Sequence, residues 1–341
     1  MTGRTVRRRV LRISLPGQAG PQAASRGDLL AAEEPLGIRV GGQAVTLTMR
    51  TPGDDIDLTA GFLVSEGVIR SAADIRQIKI CSGARCDHDA HEGAGNIADV
   101  QLRPGLETAP ALRRNFLTTS ACGVCGKTSI DDLSVLPNFD LSADHTRVAP
   151  AVLAGLPDVL RAAQRVFDRT GGLHAAGLFT AGGELLAARE DVGRHNAVDK
   201  VVGWALRAGR LPLSGCVLLV SGRASFELVQ KAVLAGIPVL AAVSAPSSLA
   251  AELAQEAGLT LIGFLRGSSM NVYTGAQRLE RVVEQPPAAP DSEVGLGEQR
   301  VDDDPDHQDH DDDRGSAGEV EVLLVDGELL PDRELADDLH D

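Results

Sequence analysis

Aromatic side chains are scarce in this sequence: they make up 3% of 341 residues, with one Trp and one Tyr. So few rings leave little on which to stack bases, which argues against a single-strand nucleic-acid binder. No stretch approaches the roughly 18 consecutive apolar residues of a membrane-spanning helix. A surplus of positive charge is also missing. The formal net charge is −15, but residues 285–341 hold 20 acidic side chains and 3 arginines, leaving 28 acidic against 30 basic groups in residues 1–284. A near-neutral body with an acidic tail lacks the basic stripe of a duplex binder. The five cysteines are odd in number, and no secretory apolar segment precedes them. The clustered arginines of "MTGRTVRRRVLRISLPG" run into polar, Gly/Pro-rich "SLPGQAGPQAASRGD". The expectation is a cytoplasmic protein with no nucleic-acid partner and no membrane span. In that compartment paired cysteines are more often catalytic or metal-binding than structural.

What is present describes a large globular chain, 43% hydrophobic and 24% charged, long enough to bury a core without disulfide or metal staples. "VRRRVLRIS" reads as a first strand, and "GIRVGGQAVTLTMR" as a hairpin turning at Gly41-Gly42. "TPGDDIDLTAGFLVSEGVI" reads as a helix capped by Asp54 or Asp55, with Ile56, Ala60, Phe62 and Leu63 on its apolar side. "RQIKICS" and "NIADVQL" are short strands flanking the polar loop "GARCDHDAHEGAG". The period then changes. "PAVLAGLPDVLRAAQRVFDRTGG" predicts one helix closed by Gly171-Gly172, followed by a hairpin of "HAAGLFT" and "ELLAARE". Helices from "HNAVDKVVGWALRAG", "SFELVQKAVLAG" and "SSLAAELAQEAG" then alternate with strands "CVLLVSG", "PVLAAVS" and "LTLIGF". Such alternation predicts a mainly parallel sheet, made mixed by its opening hairpin, with helices on both faces. Three segments follow: a β-rich N-terminal domain over 1–148 with a mobile loop at about 115–130, an α/β domain over 149–284, and an acidic, disordered tail over 285–341.

Three groups of residues invite chemistry. The first is "TTSACGVCGK", with Cys122 and Cys125 spaced C-x-x-C between Gly123 and Gly126. Four readings stand open on spacing alone. Cys81 and Cys86, with His88 or His91 in reserve, could complete a zinc site. The pair could be a thioredoxin-like couple, although no strong helix follows it to lower a thiol pKa. It could be two incidental loop cysteines. Or it could be a thiol carrier on a slim glycine loop, with Lys127 favouring thiolate. The second group is "REDVGRHNAVDK", which packs seven charged or histidine side chains into twelve residues around the i,i+4 pairs His195/Asp199 and Asn196/Lys200. It reads either as a solvated, salt-bridged first helical turn or as a helix start presenting amides to an anion. The third group is a set of loops at strand ends: "SGRASFE" with Ser221, Gly222, Arg223 and Ser225, then "SAPSSLA", then "GFLRGSSMNVYT" as a Gly/Ser loop with Arg266. Three such loops on one sheet edge predict a nucleotide-sized anionic ligand, with His195 and Asp199 nearby. The order hairpin, helix, strand, helix also resembles cytidine deaminases. However, their H-x-E and P-C-x-x-C zinc motifs are replaced here by "GRHNAVD" and "SGRASFE".

Together these segments resemble the FdhD family, the accessory sulfurtransferases of formate dehydrogenase. The resemblance spans roughly residues 37–279, with the loop at 81–96 only loosely matched, and the tail from 285 has no counterpart in it. It implies a persulfide carrier that takes sulfur from a cysteine desulfurase and delivers it to the molybdenum bis(guanine dinucleotide) cofactor of the formate dehydrogenase catalytic subunit. It also implies that Cys122 carries the sulfur, that Cys125 is a second thiol, and that the cofactor segment is Phe264, Leu265, Arg266, Gly267, Ser268 and Ser269. A cytidine-deaminase-like α/β domain with a smaller added domain, a homodimer and binding of a GDP-like nucleotide follow from the same resemblance. Two other classes remain as alternatives: a cofactor-binding chaperone without sulfur chemistry, and a zinc-structural protein built on Cys81, Cys86, Cys122 and Cys125.

Overall fold

The structure, a computed structural model, describes residues 3–15, 22–81, 96–106 and 139–280. Residues Met1–Glu284 form one compact unit. Its N-terminal part opens with an antiparallel ribbon of β1 (Thr5–Ser14) and β2 (Gln22–Ala31). A four-stranded sheet follows, built from β3 (Glu34–Val40), β4 (Gln43–Arg50), β5 (Ile75–Cys81) and β6 (Ile97–Leu102) in the order β4-β3-β6-β5. The β3/β4 hairpin turns at Gly41 and Gly42 as the sequence predicts. Both have positive φ, which glycine adopts without a Cβ clash.

Helix α1 (Asp55–Ser65) packs beneath this sheet. Asp54 holds its N-cap position, yet the side chain does not cap. The residue is left-handed at φ 56° and its carboxylate pairs with Arg4 at 2.6 Å. Of the predicted apolar side, Ala60 and Leu63 are buried and Phe62 is partly so, whereas Ile56 is exposed.

The remaining elements are α2 (Pro150–Ala163), α3 (Phe167–Thr170), β7 (His174–Thr180), β8 (Leu185–Asp191), α4 (Arg194–Arg207), β9 (Cys216–Val220), α5 (Phe226–Leu234), β10 (Val239–Ala242), α6 (Ser248–Glu256), β11 (Thr260–Arg266) and β12 (Ser269–Thr274). The strands form a second sheet in the order β12-β11-β10-β9-β7-β8. Only β9/β10 and β10/β11 are parallel. The pairs β7/β8, β7/β9 and β11/β12 are antiparallel, so the sheet is mixed as its opening hairpin predicts, but with fewer parallel pairs than expected. Alternate residues of its strands face two different cores, as a sheet covered on both sides requires. Leu218, Val220, Leu240 and Leu261 join α1, α4, α5, α6 and the four-stranded sheet in one cluster. Val217, Leu219, Val239 and Ile262 face α2 in the other. The layers therefore run sheet, helices, sheet, helix.

Two expectations need correction. The single helix over 150–170 is two helices. The break at Gln164 and Arg165 comes from buried Glu190 on β8, whose carboxylate accepts from the Val166 and Phe167 amides at 3.0 and 2.7 Å and so starts a new helix. A tertiary hydrogen bond of this kind leaves no mark in helical periodicity. The Gly/Ser loop over 263–274 is instead the β11/β12 hairpin, with Gly267 and Ser268 at its turn.

Candidate functional site at the strand ends

The carboxyl ends of β9, β10 and β11 lie side by side, and the chain leaving each is hydrogen-bonded to the next. Ser221 donates its amide to the Ala175 carbonyl, and its hydroxyl accepts from the Ala175 amide at 2.9 Å. Ala224 bonds to Ala245 at 3.2 Å, and the Ser247 amide to Ala224 at 3.1 Å. Phe264 donates its amide to the Ser244 carbonyl at 3.1 Å. The three loops anticipated from sequence thus form one continuous rim. Exposed Arg223 and Arg266 stand on it, with Gly222 and Ser225 partly covered between them.

A bulge in β11 shapes the far end of this rim. Phe264 is left-handed at φ 51°, a strained conformation for a bulky side chain, and the β11/β12 register slips between Gly263 and Arg266. Gly263 permits the close approach: a Cβ there would lie 2.8 Å from the Pro246 ring and 3.0 Å from that of Tyr273. The Arg266 guanidinium sits 5.4 Å over the Phe264 ring. Gly267, Ser268 and Ser269 are exposed at the tip. Leu265 has its side chain fully buried against the α2-side core, so only its backbone is available to a ligand.

At the near end, β7 runs antiparallel to β9 and brings His174 against Gly222. Burial holds the His174 imidazole below its ordinary pKa, with the charges of Arg194 and His195 adding to this and Asp191 opposing it. Helix α4 begins beside it. His195 Nε2 lies 3.4 Å from the Ser225 hydroxyl and 3.7 Å from Glu227 Oε2. Both partners meet the same ring nitrogen, so the three do not form a nucleophile-base-orienter relay, which needs one partner on each nitrogen. Burial opposes ionisation of Glu227, but hydrogen bonds from His195 and Ser225 outweigh it and bring the carboxyl down to about 2. Arg194 has its Nε buried without a hydrogen-bond partner among the described residues. A cavity of about 580 Å³ opens here, lined by His174, Ser221, Val192 and Val243 from the sheet side and by Arg161 and Phe167 from α2 and α3. Its size suits a small-molecule ligand.

The rest of "REDVGRHNAVDK" is buried instead of solvated, and the contacts it makes are not the i,i+4 pairs His195/Asp199 and Asn196/Lys200. Lys200 pairs with Asp191 at 2.7 Å and Asp199 with Lys231 at 2.8 Å, all four buried. Asn196 donates to Asp191 and to the Met49 carbonyl at 3.0 and 2.7 Å. Asp199 therefore anchors α4 to α5, while His195 alone of the two faces the rim. Sequence reasoning missed His174, Arg194 and Glu227 as members of the site. Arg194 and Glu227 lay inside motifs already singled out. His174 carried no local signal, because only the β7/β9 register brings it there.

Cys122 and Cys125 lie outside the described residues, as does Cys86. Cys81, buried at the end of β5, is disulfide-bonded. Cys216 is a free, buried thiol whose pKa is pushed up by burial.

Residues 31–280 match the model of the FdhD/NarQ family. The chain belongs to the FdhD/NarQ family. A sulfur carrier protein FdhD from Nocardia farcinica is 57% identical over 283 residues, covering 83% of this chain and 98% of that protein. Another from Streptomyces coelicolor is 58% identical over 277 residues, covering 81% and 95%. Among solved structures, a candidate formate dehydrogenase accessory protein from Desulfotalea psychrophila shares the fold of this FdhD/NarQ chain. Its TM-score is 0.62 at 24% identity, over 81% of this chain and 99% of that one.

Proposed function

We propose that this chain carries sulfur as a persulfide from a cysteine desulfurase to the molybdenum bis(guanine dinucleotide) cofactor destined for the formate dehydrogenase catalytic subunit. The observation that carries the reading is the glycine-flanked Cys122/Cys125 pair in a chain so similar, along nearly their whole length, to proteins named sulfur carriers. Cys122 attacks the outer sulfur of the donor persulfide. A new S–S bond forms on Cys122 as the donor S–S bond breaks, and the desulfurase cysteine leaves as thiolate. Attack of the Cys125 thiolate on the Cys122 sulfur then expels the outer sulfur as hydrosulfide, which becomes a ligand of the metal. The disulfide left between the two cysteines is reopened by a cellular dithiol.

The rim supports the second half of the reading. Arg194, Arg223 and Arg266 supply positive charge for phosphates, and Ser221, Gly222, Ser225 and the Phe264–Ser269 hairpin supply small, polar contacts. His195, held by Ser225 and Glu227, orients at the edge of the site without acting as a base. The cofactor is the cargo here, and GDP is its simplest mimic. The six-stranded sheet, with a hairpin at one edge and parallel strands after it, is further read as a deaminase-like arrangement whose zinc motifs have been replaced. The chain acts in the cytoplasm as a homodimer on this reading. Among the described residues no helix is long and apolar enough to cross a membrane.

The direct test is intact mass after incubation with a desulfurase and cysteine. One added sulfur should map to the peptide Thr118–Lys127 and disappear in Cys122→Ala. Sulfur found on Cys81, Cys86 or Cys216 instead would reject the assignment. Cysteine variants that still activate formate dehydrogenase would reject the sulfur chemistry and leave a cofactor-binding chaperone.

A further inference from the structure

The β1/β2 ribbon is not used by the site described above, and nearly all of it lies before the family match begins at residue 31. Its strands pair with each other over ten residues, from Thr5↔Ala31 to Ser14↔Gln22, and with no other described strand. At about 3.4 Å per residue such a ribbon runs some 34 Å, and both of its outer edges carry backbone groups free of sheet partners among the described residues. A lone two-stranded ribbon is marginal in water unless something packs on it or extends it.

Two kinds of side chain cover this one. Arg7, Arg8, Arg9, Arg12 and Arg26 are exposed, and none of them forms an ion pair with another described residue. Asp28 is the single acidic residue of the two strands. Between the arginines, Val6, Leu11, Ile13 and Leu30 are exposed to between 41% and 65%. These apolar side chains stand among the charges on both faces, because register pairs Val6 with Leu30 on one face and sets Leu11 and Ile13 on the other.

We propose that the β1/β2 ribbon is a docking arm for an acidic, extended segment of a partner protein, which adds to it as a further strand. Charge selects the partner: two such ribbons carry the same sign and repel, so pairing of this ribbon with the ribbon of a second copy is disfavoured. The exposed Val, Leu and Ile side chains select protein over nucleic acid, since phosphates leave apolar surface uncovered while an alternating acidic and apolar strand covers it and fills an open edge. The root of the arm places the partner usefully. Arg4 is tied to Asp54 at 2.6 Å, α3 packs against β2, and Ala31 lies against Gly172, which lines the mouth of the 580 Å³ cavity. A protein seated on the ribbon stands beside that cavity.

The inference does not depend on the sulfur chemistry, and its readouts are separate from persulfide loading. The probe is a blocked, fluorescent decapeptide of alternating Glu and Val, titrated with the full chain. Binding should be saturable, should weaken as salt is raised, and should weaken at least tenfold in the triple variant Arg7→Glu, Arg8→Glu, Arg9→Glu, while Arg→Lys at the same three positions keeps most of it. In the unaltered protein, peptide should slow amide exchange within Thr5–Ser14 or Gln22–Ala31, a readout that does not depend on any variant folding. Four results would overturn the proposal: no binding at millimolar peptide, unchanged exchange in both strands, tighter binding of a DNA duplex than of the peptide, or sedimentation showing self-association that the charge-reversal variant abolishes.

Discussion

Glu227 shows how one side chain ties the rim to stability. Burial works against its charge, yet His195 and Ser225 hold its carboxyl at about 2, below the ordinary 4.5. A depressed carboxyl pKa stabilises the fold while the group is ionised. That contribution is complete at neutral pH and is lost as pH falls from about 4.5 through about 2. Glu227→Gln should therefore lower the melting temperature at neutral pH, and the gap to the unaltered protein should close towards the acid limit. Thermal denaturation across that range reads both. Lys200 makes a different kind of prediction. Its ammonium is buried between Asp191 Oδ2 at 2.7 Å and the Thr51 carbonyl at 2.9 Å. Lys200→Met strands the Asp191 charge and should cost about 3–5 kcal/mol in denaturant unfolding, with Asp191→Asn in the same chain recovering part of it. On the rim, Arg194→Ala should weaken GDP binding in calorimetry by about tenfold or more, since a charge-assisted contact contributes about 1.5–3 kcal/mol. Arg223→Ala and Arg266→Ala should do likewise, and unchanged heats in all three would leave the nucleotide reading without support.

At the scale of elements, α1 and α4 cross so closely that two glycines form the contact. A Cβ at Gly61 would lie 1.8 Å from the Asp199 carbonyl oxygen, and one at Gly203 would lie 1.8 Å from that of Asp57. No rotamer relieves a clash with backbone. Gly61→Ala or Gly203→Ala should cost at least the 1–3 kcal/mol or so of ordinary overpacking, and should disturb the four-stranded sheet that α1 supports. Gly155 in α2 is the matched control. It is exposed, helical and has open space around it, so Gly155→Ala should stabilise by about 0.4–1 kcal/mol. Unfolding midpoints of the pair separate close packing from helix propensity. A loss in both would mean that the helices, and not their crossing, set the cost.

For the whole molecule, Met1–Glu284 form one compact unit. The acidic segment 285–341 supplies 20 of the 48 acidic residues. A chain ending at Glu284 should stay folded, load sulfur and bind GDP unchanged, as judged by melting temperature, intact mass and calorimetry. Insolubility, or loading without activation of the client enzyme, would assign the tail a role. The sequence by itself determined the order and kind of most elements. The alternation of β3, the apolar strands "HAAGLF", "CVLLV" and "PVLAAV", and the glycine turn at 41–42 are local patterns, set by side-chain periodicity and φ preference. It also located the rim, because loops leaving parallel strands after single helices return to the same sheet edge. The tertiary structure alone decided what depends on a partner distant in sequence. Glu190 splits a helix that periodicity draws as continuous. His174 reaches the rim through the antiparallel β7/β9 register. The charges after Asp191 turn inward because Lys231, Thr51 and Ser65 await them across 32, 149 and 134 residues of chain. A buried ion pair and a solvated one are written with the same residues. Only the fold, by removing the water, tells them apart.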